Sequence, residues 1–255
     1  MEELLRQPPV ISPPLMNAAG TLGFAPDPRS PLDWAQFGAF VTNPISQKPR
    51  KPAARHRWQT SAAGVMLHSG HPNPGFRRVL QTYAPRWAQA DLPVIVHLLA
   101  DTPAIIHRQV LHLEELENIL AVEIGFPENI VENEITKVLT AAQGELPVFA
   151  RLPLMQVVPL AKPALESGAS AVSLAPPRGT IFQHGIFSAG RLYGAELLPM
   201  QIQVVLQLDE MDIPVVASGH LTHPSQVEPF QQAGAFAVQV DISLWRGDWF
   251  NQKEK

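Results

Sequence analysis

Ile213-Pro214-Val215-Val216-Ala217-Ser218 and Ala233-Gly234-Ala235-Phe236-Ala237-Val238-Gln239-Val240-Asp241 enclose one helical stretch, and this unit sets the pattern for the rest of the chain. Val215–Ser218 and Ala237–Asp241 are short, nearly continuous apolar runs, as strands buried on both faces must be. Residues 224–233 between them predict a helix. Thr222 suits its N-cap, with Pro224 in the first turn where the missing N–H costs nothing. Gly234 suits the C-cap before the next strand.

Moving outward, the same alternation recurs. Strands are expected at Leu15–Ala19, Ala39–Asn43, Val94–Leu98, Ala121–Ile124, Val148–Leu152 and Ala171–Ala175, besides the two above. Helices are expected near 77–90, 104–118, 129–143, 156–167 and 196–211, with Gly168 as a further C-cap. Eight strands alternating with helices fit a closed barrel or a doubly wound sheet, and periodicity alone does not choose between them. The 44–76 stretch is too long for an ordinary connection and is rich in Pro, Arg, Lys, His and Gly, so it is functional or a packed excursion.

Composition narrows the function. The 255 residues suit one large domain, taken as 1–255, and 45% hydrophobic residues are enough for a full core. A net charge of −4 supplies no basic field, which argues against a nucleic-acid partner. The absence of cysteine removes disulfides, thiolate nucleophiles and Cys-ligated metals, and fits a cytoplasmic protein. No apolar run reaches 18 residues, so no helical membrane span is expected.

Several segments carry a resemblance to a known family. Met16-Asn17-Ala18-Ala19-Gly20-Thr21-Leu22-Gly23 resembles the opening strand and loop of the dihydroorotate dehydrogenases. Phe37-Gly38-Ala39-Phe40-Val41-Thr42 with Pro49-Arg50, Met66-Leu67, Asn73-Pro74-Gly75 and Gly190-Arg191-Leu192-Tyr193-Gly194-Ala195 resemble later family segments, and the 213–241 unit resembles the last two strands. They occur in family order across nearly the whole chain. The resemblance implies a (β/α)8 barrel of the TIM type, with FMN over its C-terminal mouth. Family members are often homodimers, so it also implies a homodimer as one option.

Carried over residue by residue, the resemblance places the cofactor positions at Ala19, Gly20, Thr42, Asn43, Arg151, Gly194, Ser218 and Gly219, and a ligand pocket at His68, His97, His220 and Asp241. Many of these depart from the family. Asn43 and Arg151 stand where it has lysines. His68, His97 and Gly125 stand where it has asparagines. The segment with its catalytic Cys or Ser base is gone after Phe126-Pro127. His220 replaces the second glycine of a phosphate-binding diglycine, and Asp241-Ile242 replaces a Gly-Thr. Dihydroorotate oxidation needs a base to take a proton as hydride leaves, and none matches here. A phosphate beside Asp241 would also be repelled. Two unit charges 4 Å apart at an effective dielectric of 20 cost about 4 kcal/mol, roughly a thousandfold in affinity. His220 or Arg246 could offset that, and pairing of His220 with Asp241 is the favoured arrangement.

These residues support three readings. The first is a diverged barrel without dihydroorotate dehydrogenase activity, whose mouth takes another small, anionic ligand or which serves as a noncatalytic partner. The second is an FMN-dependent oxidoreductase of altered substrate. The third is a metal-assisted hydrolase using His68, His97, His220, Glu123 and Asp241, though no HxH or HExxH spacing marks a metal site. The pocket should be lined by Asn43, His97, Arg151 and Gly219. Arg151 is either an anion ligand or an ion-pair partner. Arg178, Arg191 and His184 could bind an anion, and Lys48, Arg50, Lys51, Arg55 and Arg57 form a basic cluster suited to a solvated loop, an interface or an anion lid.

Overall fold

The computed structural model describes residues 7–54, 58–61, 64–183 and 185–246. In chain order they form β1 (Leu15–Asn17), β2 (Phe40–Val41), β3 (Trp58–Ser61), β4 (Gly64–Leu67), α1 (Phe76–Ala88), β5 (Val94–Leu99) and α2 (Pro103–Glu114). Next come β6 (Ile119–Gly125), α3 (Glu132–Ala141), β7 (Val148–Pro153), α4 (Val157–Glu166), β8 (Ala171–Ala175), β9 (Arg178–Gln183) and β10 (Ile186–Tyr193). The chain continues with α5 (Leu198–Asp209), β11 (Val215–Gly219), α6 (Glu228–Gln232), β12 (Ala237–Val240) and α7 (Ser243–Arg246).

The eight expected strands are all present and form one parallel sheet in the order β1-β12-β11-β8-β7-β6-β5-β2. Its two ends meet. Met16 bridges Ala39 in parallel, and the Gly38 N–H donates to Leu15 O at 2.9 Å. Closure decides for the (β/α)8 barrel over the doubly wound sheet. Gly38 has no room for more than hydrogen at this seam, because a Cβ there would lie 2.1 Å from the Pro13 carbonyl oxygen. Backbone cannot yield cheaply, so Gly38→Ala should cost about 1–3 kcal/mol. The check is a lower urea midpoint at unchanged slope.

Local signals were partly misplaced. The expected helix 224–233 is a 3-10 turn at Pro224–Gln226 followed by the short α6. Its cap is His223 rather than Thr222: the His223 side chain accepts from Ser225 N, and the Gln226 side chain accepts from the His223 N–H. An imidazole nitrogen does here what a hydroxyl usually does. Gly234 does sit past α6 in the left-handed region, φ 106°.

The 44–76 stretch is a packed excursion. It contributes β3 and β4, which join β9 and β10 in a four-stranded antiparallel sheet of order β3-β4-β10-β9. This sheet contributes Leu67, Arg178, Arg191 and Tyr193 to the wall of the cavity at the barrel's C-terminal mouth. Lys48 and Lys51 are exposed, and Arg55, Arg57 and His184 lie outside the described residues. Among the described residues, no helix is long and apolar enough to cross a membrane.

Candidate functional site

Side chains on a strand alternate between faces, so every second residue points into the barrel. Ile95, Ala121, Phe149, Ala171, Val216 and Ala237 fill one apolar interior layer. Two residues further on, toward the mouth, the same faces carry His97, Glu123, Arg151, Ser173, Ser218 and Gln239, all buried. One step along six strands thus turns the core from apolar to polar.

Glu123 is the hub of this second layer and is fully buried. Its Oε1 accepts from Ser173 Oγ at 2.7 Å and from Gln239 Nε2 at 2.8 Å. Its Oε2 meets His97 Nδ1 at 2.5 Å and Arg151 Nη1 at 3.4 Å. Arg151 Nη1 also donates to Gln239 Oε1. Burial by itself would raise the Glu123 carboxyl. The Arg151 charge and the bonds from His97 and Ser173 outweigh it and hold the group well below the carboxylate range. Arg151 is therefore an ion-pair partner that also lines the cavity.

His97 is pushed the other way from an ordinary ion pair. Burial lowers its pKa, and the charges of Arg151 and Arg191 add to that, against the opposing pull of Glu123. A neutral imidazole 2.5 Å from a carboxylate donates through Nδ1–H, which leaves a lone pair on Nε2. That nitrogen faces Gly125, where a Cβ would come within 2.6 Å of it. The Gly125 position is thus shaped by the imidazole.

Above the polar layer lies a cavity of about 480 Å³. Its wall carries four guanidinium-bearing residues, Arg50, Arg151, Arg178 and Arg191, with His68, His71 and His97, against two acids, Glu128 and Asp241. Arg191 Nη1 is buried with no hydrogen-bond partner among the described residues. Burial lowers the pKa of Arg191 against the pull of Tyr193 and Glu128, and the charges of Arg151 and Arg178 add to the lowering. His71 is driven down to about 3, first by burial and then by the charges of Arg191, Arg50 and Arg151. The wall carries more cationic than acidic side chains, and among the described residues one guanidinium nitrogen on them, Arg191 Nη1, is buried without a hydrogen-bond partner.

The expected site residues divide. Ala19, Gly20, His68, His97, Arg151 and Asp241 line the cavity. Thr42, Asn43, Gly194, Ser218, Gly219 and His220 do not. The expectation that Asn43 and Gly219 would line it is corrected. Thr42 Oγ1 accepts from the His97 N–H at 3.0 Å, and Asn43 Oδ1 accepts from Gly23 N at 3.2 Å, so both brace loops instead. Gly219 is small because α5 packs on it: a Cβ would lie 2.9 Å from a Leu198 methyl and 3.2 Å from Gln201 Oε1. Gly194 opens the 3-10 turn Ala195–Leu197. His71, Tyr193 and Trp245 were missed, because nothing local marks them. Their role comes from long-range pairing, such as Tyr193 with Val65 across β10 and β4.

The family's phosphate cradle would sit at the ends of β11 and β12, and the residues there do not fit it. His220 Nδ1 and Asp241 Oδ1 pair at 2.9 Å, both buried, as expected from their adjacent strands. The Asp241 N–H is taken by Gly219 O at 3.2 Å, and the Ser243 N–H by Asp241 Oδ1 at 3.2 Å. Among the described residues the buried hydroxyls of Ser218 and Ser243 have no hydrogen-bond partner, and neither residue lines the cavity. A phosphate would meet the Asp241 carboxylate there, where the family has glycine. The Arg246 side chain lies outside the described residues. As for a metal, among the described residues no three His, Asp or Glu side chains are grouped to hold one. His97–Glu123 and His220–Asp241 are two separate pairs.

No family model matches the sequence. Curated relatives do. The chain is 28% identical over 256 residues to dihydroorotate dehydrogenase B (NAD(+)), catalytic subunit, of Desulforudis audaxviator, covering 89% of this chain and 81% of that protein. It is 24% identical over 255 residues to the protein of the same description from Geobacillus sp., covering 89% and 80%. Among solved structures, DHODH from Eimeria tenella in complex with ferulenol superposes with a TM-score of 0.71 at 18% identity, covering 92% of this chain and 77% of that one.

Proposed function

We propose that this chain, a relative of the dihydroorotate dehydrogenases in sequence and in fold, holds an anionic small molecule in its barrel mouth and does not oxidise dihydroorotate. The observation that carries the reading is Arg191. A buried guanidinium nitrogen without a partner among the described residues is costly, and the residue that carries it lines the cavity together with Arg50, Arg151 and Arg178. An anion of carboxylate or phosphate type would satisfy it, and such pairs are strong and directional. Loss of FMN belongs to the same reading. The ring end of the family site keeps Ala19, Gly20 and a cation at Arg151, but the phosphate end is filled by the His220–Asp241 pair.

The surviving ring end favours a second reading, a flavin-dependent oxidoreductase of altered substrate. Colour separates the two. The purified protein is expected to be colourless, to release no FMN on denaturation, and to bind inorganic phosphate or simple carboxylates by calorimetry. Dihydroorotate should reduce no added flavin above a no-substrate control. Asp241→Gly with His220→Gly should bind FMN measurably tighter than the unmodified chain, up to about a thousandfold if the full charge repulsion is relieved. Reduction at about 1 per second or faster, or tight FMN binding that the two substitutions leave unchanged, sinks the reading.

A further inference from the structure

We propose that His97 and Glu123 form a proton-transfer dyad, with His97 Nε2 as a general base acting on an anionic substrate whose acidic C–H lies next to a carbonyl. This rests on the anion-binding reading and goes past it, from holding a ligand to changing one.

The geometry carries the case. Glu123 fixes the imidazole through Nδ1 at 2.5 Å, and Glu123 is itself fixed by Ser173, Gln239 and Arg151. The His97 N–H of the backbone is anchored on Thr42. The ring thus has one orientation, and His97 lines the cavity. Nε2 lies on the side of Gly125, also a wall residue, and has no hydrogen-bond partner among the described residues. A base held in one tautomer by a buried carboxylate, with its other nitrogen turned to a cavity, is the arrangement general-base catalysis needs. Arg191 Nη1 supplies the complementary part, an unpaired donor where negative charge can develop.

The step balances without an oxidant. Nε2 takes the proton, and the C–H electron pair moves to form a carbon–carbon double bond. The carbonyl electrons move onto oxygen as an enolate, which Arg191 stabilises. Exchange of the Nε2 proton with solvent and its return to the same carbon completes a hydrogen exchange. An anion in the cavity also offsets the field of Arg151 and Arg191 that suppresses His97 protonation, so a bound substrate strengthens its own base.

Pyruvate and 2-oxoglutarate serve as probes. In deuterated buffer, proton NMR should show their C3 hydrogens exchanging about a hundredfold or more faster with the protein than without it. His97→Asn and His97→Gln should return exchange to the buffer rate at saturating acid, with thermal melts showing that both variants fold and calorimetry setting the concentration that saturates them. On the unmodified protein, nitrogen-15 NMR should find His97 as the Nδ1–H tautomer. Binding of either acid without exchange overturns the dyad and leaves the anion pocket standing. Exchange that survives both substitutions, or an Nε2–H tautomer, also overturns it. Failure of the oxo acids and of inorganic phosphate to bind overturns both readings.

Discussion

Replacing Glu123 with glutamine should destabilise the fold by about 3–5 kcal/mol, because breaking a buried ion pair leaves the partner charge uncompensated. Arg151 is that partner, buried on the neighbouring strand with Nη1 shared between Glu123 and Gln239. A domain of this size loses about 2–4 °C in Tm per kcal/mol, so a drop on the order of 10 °C is expected by calorimetry. Glu123→Gln with Arg151→Met should recover much of the loss, since apolar replacement of a whole buried pair is often neutral. A double-mutant cycle measures that coupling. Near-additive losses would mean that the pair is not the hub of the polar layer.

The same layer predicts acid sensitivity. His97 and His71 both have pKa values depressed below the ordinary 6.5. Their unfolded forms bind more protons, so stability is full above about pH 6.5 and declines as pH falls. Glu123, depressed from 4.5, adds a second loss once the pH drops below that value. Asp241 runs in the opposite sense. Burial raises it, against its bond to His220, so it favours folding at low pH and ceases to do so as pH rises through its folded pKa. The depressed histidines predict a fall in urea midpoints as pH drops below about 6.5, and Glu123 a further fall below 4.5, so midpoints measured from pH 7 to pH 3 should decrease in two stages.

The parts of this molecule that announce themselves in sequence are those whose cause is local. Val215–Gly219 and Ala237–Val240 are apolar because both faces are buried, and a run of such residues is visible without coordinates. The His220–Asp241 pair followed from the ends of adjacent parallel strands. The mouth sheet did not follow from anything local. Trp58–Ser61 and Arg178–Gln183 are partly polar and look like loop; each is one arm of a hairpin, β3 with β4 and β9 with β10, and β4 with β10 joins the two hairpins into one sheet. Hydrogen bonds between segments over a hundred residues apart leave no periodic trace. Glu123 was named for metal binding, and its real partners were missed, although His97 and Glu123 are register neighbours on β5 and β6. Ser173 and Gln239, single polar residues in apolar strands, were the available signal.

Arg191→Leu should make the chain more stable and blind to anions at once. Among the described residues Arg191 Nη1 is buried without a partner, and the charges of Arg151 and Arg178 oppose the guanidinium while Glu128 attracts it. Its removal relieves an uncompensated polar group, worth about 1–3 kcal/mol. The aliphatic stem of leucine still packs against the cavity wall. The cost falls on binding, where loss of a desolvated charged contact typically removes 2–5 kcal/mol, at least about thirtyfold in Kd. Stability gained by deleting one side chain while binding collapses is the pattern expected when a fold keeps strain for function. Thermal melts with and without phosphate, pyruvate or 2-oxoglutarate make the comparison in one experiment. The unmodified chain should melt lower alone and rise with the anion, and Arg191→Leu should melt higher alone and not respond. An Arg191→Leu protein that melts lower and still responds to anions would show that this guanidinium is structural and that the ligand sits elsewhere.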